Sequence, residues 1–146
     1  MLKDAHLMFQ DMDAILRGLK KKTYEKNMEI YRDKYGYFFD EMINTVASAD
    51  DKEAAAGELA GSICEQVLAT YNKRGRIPKK LLMNINFVLI YYIFPAILMT
   101  GSEDATLIAD TLRDKWNAFF GCTINYTTYD VIYDGFQNRI FGFVVG

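Results

Sequence analysis

Histidine is almost missing from this chain: His6 is the only one among 146 residues. That scarcity excludes Ser-His-Asp triads, histidine-rich zinc sites and di-iron carboxylate sets, each of which needs more imidazole than one. His6 itself sits between Ala5 and Leu7, a helix-surface or edge position with little to recommend it as a lone general base. Cysteine is scarce as well. Cys64 and Cys122 are far apart, without CxxC spacing or a histidine neighbour, and read as thiols of a reducing compartment rather than a disulfide framework. Cys122, following Gly121 in an expected loop, is the better placed of the two to react.

No GxGxxG or GxxxxGK-Ser/Thr loop occurs, so dinucleotide and P-loop nucleotide binding have no support. A dominant charge is missing too. With 17 Lys and Arg against 19 Asp and Glu the net charge is −2, which gives the whole chain no pull toward nucleic acid or anionic lipid. The opening stretch MLKDAHLMFQDMDAILRG interrupts every apolar run with Asp or Gln, unlike the core of a secretion signal, and a cytoplasmic protein is expected. Strand-like alternation is absent over useful lengths, and Asp134-Gly135 falls inside a helical stripe.

What the chain has in quantity is apolar and aromatic surface. Hydrophobic residues make up 51% and charged residues 25%, with 10 Tyr and 10 Phe, the composition of one globular domain spanning residues 1–146. Leu2, Ala5, Met8/Phe9, Met12, Ile15/Leu16 and Leu19 form a first helical stripe, ended by Gly18 and three lysines. A second helix, capped by Thr23, carries Tyr24, Met28, Tyr31, Tyr35, Phe38 and Met42 in heptad order, a seam assigned to the core in preference to a partner chain. Asp50 with Glu53 forms a capping box for a third helix through Leu59, Ile63, Val67 and Tyr71, with Gly75 as its left-handed C-terminal cap. Pro78 opens a fourth helix to about Met99, and Ser102 caps a fifth reaching Gly121. A sixth starts at Thr127 or Thr128 with the stripe Tyr129, Ile132, Tyr133, Phe136 and Ile140, followed by the apolar tail Phe143, Val144, Val145. The expected fold is all-α, a bundle of about six helices around a buried, Pro-kinked central hydrophobic helix.

That fourth helix holds the two most unusual features. From Leu81 to Ser102 no side chain is charged, long enough to cross a bilayer, yet Asn84, Asn86, Pro95 and two tyrosines interrupt it. The other helices are amphipathic and need a common apolar partner, so a buried central helix is expected and no membrane span. Asn84 and Asn86 point in nearly opposite directions, and each needs its own hydrogen-bond partner. Pro95 lacks an amide and crowds the carbonyl of Tyr91, so the helix kinks or restarts there. Asn84, Tyr91, Tyr92 and Pro95 are therefore the candidate walls of a small apolar pocket with one free carbonyl, unless water or a neighbouring side chain takes it.

The second feature is KRGRIPKK, in which Lys73, Arg74, Arg76, Lys79 and Lys80 form the sharpest charge cluster in the chain. Its Arg-Gly-Arg order is like that of an AT-hook, but Ile77 separates Arg76 from Pro78 and breaks the match. Carboxylate pairs at Asp110/Asp114 and Asp130/Asp134 share helical faces without further metal ligands in register. Tyr35, Tyr37, Tyr126, Tyr129 and Tyr133 exceed what a core demands, and Tyr with Phe and Met is the composition of protein-contact surfaces. The leading expectation is a non-enzymatic domain without catalytic residues, metal or cofactor, acting through contacts with a protein partner or a second copy of itself. A carrier of a small apolar ligand in the Pro95 pocket ranks second, and nucleic-acid or acidic-partner binding through the basic cluster third.

Overall fold

A computed structural model describes residues 2–18, 24–126, 130–133 and 136–139, with side chains for 2–15 and 24–126. Expected features at Leu19, Thr23, Thr127, Thr128, Tyr129, Ile140, Phe143, Val144 and Val145 lie outside the described residues. The chain is all-α in class. A single-turn 3-10 segment, Ala5–Phe9, precedes α1 (Met12–Gly18), α2 (Tyr24–Ala47) and α3 (Lys52–Tyr71). The fourth helix is α4 (Lys79–Val88), a π turn (Leu89–Ile93) and α5 (Phe94–Leu98) in unbroken succession, and α6 (Ala105–Phe120) follows.

The central helix is buried as its composition requires: every residue from Ile85 to Phe94 is inside the fold. By length and composition Lys79–Leu98 matches a membrane span, but most of it is covered by the protein's own helices. The heptad seam of α2 faces inward, with Met28, Tyr31, Tyr35, Phe38 and Met42 all buried. Tyr31 is its hub, its ring 4.8 Å from that of Tyr35 and 5.3 Å from that of Tyr92. Aromatic pairs of this kind contribute about 0.5–1.5 kcal/mol each beyond area burial.

Pro95 does not simply kink the helix. The chain takes up the missing amide in a π turn, where the Phe94 amide donates back to the Leu89 carbonyl, one residue further than α-geometry would have it. That leaves the Tyr91 carbonyl, which an amide at position 95 would have served, and the Tyr24 hydroxyl at the start of α2 donates to it. The seam and the proline break are thus joined by one side chain.

Buried polar contacts fix how the remaining elements dock. Asn86 is fully buried on α4; its Oδ1 accepts from the indole Nε1 of Trp116 at 2.7 Å, and its amide reaches the Cys122 sulfur at 4.0 Å. Trp116 in turn stacks on Phe9 at 5.9 Å. Asp104, buried before α6, receives Lys52 at 3.1 Å and ties the starts of α3 and α6 together. Gln66 of α3 receives the His6 amide at 3.3 Å and donates to the Leu2 carbonyl at 3.0 Å, holding the 3-10 segment.

Three local expectations change. The cap of α3 is Asp51, not Asp50, and it accepts from the Ala54 amide at 3.0 Å. Ser102 accepts from the Asp104 amide one turn before α6 proper, which begins at Ala105. Most consequentially, the sixth helix is not formed: β1 (Cys122–Asn125), β2 (Asp130–Tyr133) and β3 (Phe136–Arg139) make an antiparallel meander. The segment is rich in Thr, Ile, Val and Tyr, residues that fit a pleated surface, and the pairing of Tyr133 with Phe136 brackets the Asp134-Gly135 dipeptide that a two-residue hairpin favours. Pairing of three strand-forming segments outweighed a 3.6-residue stripe of the same side chains.

Replacing Asn86 by Leu strands the Trp116 indole N–H in the interior and is expected to cost about 1–3 kcal/mol in urea unfolding. Adding Trp116→Phe to Asn86→Leu removes the stranded donor, so the double variant is less unstable than the two single losses summed. Strict additivity would mean the contact carries nothing.

Candidate functional site

The four residues expected around Pro95 lie on the central helix at its π turn and just either side of it. Tyr91 and Tyr92 are buried, Asn84 and Pro95 are partly covered, and the carbonyl at the break is occupied by Tyr24. Phe87 packs 4.9 Å from Tyr91 and Tyr24 5.6 Å from Tyr92, filling the space beside the break with rings. Burial pushes the Tyr92 hydroxyl up to about 12, an effect partly offset by the Asn27 amide. Those two groups neighbour one another inside the fold without meeting hydrogen-bond geometry. None of the grooves described below is lined by Asn84, Tyr91, Tyr92 or Pro95.

The basic cluster is a different case. Helix α3 ends at Tyr71, where Asn72 turns extended, so Gly75 does not cap it. Instead the Lys73 amide donates to the Arg76 carbonyl at 2.7 Å, with the reverse bond at 3.4 Å, and the intervening Arg74 and Gly75 have φ of 57° and 89°. Two successive left-handed residues between a bridged pair are the signature of a type I′ turn. Glycine supplies the second freely; Arg74 adopts an uncommon conformation for its type. Ile77 is buried and anchors the turn, while Lys73, Arg74, Arg76, Lys79 and Lys80 are all exposed. Lys79 and Lys80 stand in the first turn of α4, where the positive end of the helix dipole adds to their field.

Beside this turn lies a groove of about 440 Å³, lined by Leu68, Gly75, Arg76, Ile77, Lys79, Leu82, Phe119, Phe120 and Gly121. Its floor is aliphatic and aromatic, its rim cationic. Phe119 is 40% exposed and presents an aromatic ring at the groove. The left-handed Gly121 (φ 64°) ends α6 at the lip and turns the chain into β1. Sequence reasoning found the cations and missed the phenylalanines, because positions 76 and 119 meet only through the packing of α3 and α4 against α6.

Other sequence candidates are absorbed by structure. Asp110 accepts from Tyr126 at 2.6 Å and from Arg113 at 3.3 Å, and Asp114 accepts from Arg113 at 3.1 Å, so that pair is bridged by a guanidinium. Asp130 belongs to β2, so its four-residue spacing to Asp134 no longer defines a helical face. Among the described residues no group of three or more metal-ligating side chains converges. Cys122 is not a loop thiol: it is buried in β1, and burial pushes it up to about 11 and Cys64 up to about 12. Of the tyrosines, Tyr37 is exposed, Tyr126 half-buried and Tyr35 buried, its hydroxyl donating to Asp11 alongside Lys34. No family model, curated protein or solved structure matches this chain.

Both thiols are expected to resist a disulfide reagent in the native protein at neutral pH and to react together once urea unfolds it; fast native reaction of Cys122 would contradict its placement. The Lys34 and Tyr35 hydrogen bonds hold the Asp11 carboxyl below its ordinary value. A carboxyl lowered in this way stabilises the fold above its unfolded pKa, near 4, and that contribution disappears as pH falls through the folded value. Urea midpoints of Asp11→Asn should therefore be lower than wild type at neutral pH and converge with it under acid.

Proposed function

We propose that the chain is a non-enzymatic binding protein, working in the cytoplasm, that grips an acidic segment with apolar side chains on a partner protein. The observation that carries this reading is the groove in which exposed Phe119 stands beside Arg76 and Lys79. An apolar floor with a charged rim is how protein interfaces divide affinity from orientation: buried apolar anchors hold, and rim charges steer. Leu68 and Leu82 give the floor an aliphatic shape suited to Leu or Met side chains, and a net charge of −2 disfavours a long polyanion such as nucleic acid. The small-ligand reading loses support because Tyr24 occupies the carbonyl on which it depended.

A fluorescein-labelled peptide of alternating Glu and Leu, followed by anisotropy, tests the reading. Binding is expected to weaken with salt, and to fall about tenfold in Phe119→Ser and in Arg76→Glu/Lys79→Glu. Thermal stability should change little, since Phe119 and Arg76 are exposed and glutamate suits the first turn of α4. Binding of single-stranded DNA in place of the peptide, or an unchanged affinity in both variants, would overturn it.

A further inference from the structure

We infer that the acidic, apolar-tipped segment is carried by the chain itself, so that the end of one copy's central helix docks into the basic groove of the next. This rests on the reading above and adds the identity of the partner. Among the described residues few large apolar side chains are exposed, and two of them, Leu98 (39%) and Met99 (51%), are consecutive. They project where α5 emerges from the core.

Met99 also borders a second groove, of about 390 Å³, between α2 and α5. Phe39, Ala96 and Gly36 contribute to it, and Glu29, Asp33 and Asp40 outnumber Arg32 on its rim. Gly36 is informative here. It lies deep inside a long helix, where glycine is weaker than alanine, and a methyl group added to it would meet nothing within 4 Å. Packing among the described residues therefore gives no reason for it. What the missing side chain does is keep the groove open between Asp33 and Asp40, with room for an arginine or lysine from outside.

The two surfaces are complementary in charge and in kind. An apolar knob flanked by carboxylates faces a groove floored by leucine and phenylalanine and rimmed by Arg76 and Lys79. The Met99 thioether against Phe119 is a favourable pairing of sulfur with an aromatic ring. They also lie at opposite ends of one rigid element. Lys79 and Leu82 belong to the first turns of the helix Lys79–Leu98, and Ala96 to its last, so at 1.5 Å per residue about 20–25 Å separates them along its axis. A single copy cannot bring them together. Because the two patches differ, the contact is head-to-tail and generates rings or open chains instead of a two-fold dimer.

Sedimentation velocity across concentration and salt tests this with two charge-reversed variants, Asp33→Lys/Asp40→Lys and Arg76→Glu/Lys79→Glu. Wild type should associate reversibly, more strongly at low salt, and each variant alone should associate at least about tenfold more weakly. Mixed in equal amounts, the variants present opposite charges to one another, and association should return. Gly36→Ala should raise the melting temperature while weakening assembly. A wild type that stays monomeric, single variants that assemble like wild type, or a mixture that does not recover would each overturn the inference. A monomer that still binds the Glu-Leu peptide overturns only the self-association; a monomer that binds neither peptide nor itself overturns the underlying reading as well.

Discussion

A helix buried over most of its length has little water to repair a broken hydrogen-bond ladder, and the break at Pro95 is repaired by the protein. The repair has two parts. The π turn over Leu89–Ile93 redirects the Phe94 amide to the Leu89 carbonyl, and the Tyr24 hydroxyl supplies the donor that position 95 lacks for Tyr91. An unpaired carbonyl at this depth would cost about 1–3 kcal/mol, a sizeable part of a small domain's stability. The start of α2 is thereby committed to one place along the central helix, and the rings of Tyr24, Tyr31 and Tyr92 stack around that point.

The Asn86 contact does the same work one side over. A polar side chain in a dry core is tolerable only when matched, and its partners come from α6 and β1. Trp116 then carries the constraint to Phe9 near the start of the chain. Packing apolar faces alone would allow α6 to slide; the indole-to-amide bond, with the Lys52–Asp104 contact at the start of the helix, selects one register. The position of α6 in turn decides where Phe119 and Phe120 stand relative to the turn at Arg74 and Gly75. The groove is thus a consequence of core hydrogen bonding some distance from it.

Its charge comes from a local device. A type I′ turn reverses the chain in two residues, and a reversal that short leaves long cationic side chains no option but solvent. Ile77 fixes the turn by burial, so the cations are held on a rigid base rather than on a mobile loop. A fixed array of charge beside a partly exposed aromatic ring is preorganised for contact, which reduces the ordering entropy that association must overcome.

Sequence by itself determined the helical class, the buried middle of the Leu81–Met99 helix though not the exposure of Leu98 and Met99 at its end, the inward seam of α2 and the basic cluster, because each rests on spacing or composition within one segment. It also marked Asn86, Pro95 and the Tyr91 carbonyl as needing partners, without naming them. Tertiary structure alone decided that Tyr24 and Trp116 are those partners, that Phe119 and Arg76 line one groove, and that residues 130–133 and 136–139 pair as strands. Each of these joins positions far apart in the chain, or chooses between two periodicities that the same side chains satisfy. The meander shows the limit most sharply: Ile132, Tyr133 and Phe136 fit a helical stripe and a strand equally well, and only pairing between neighbouring strands distinguishes the two.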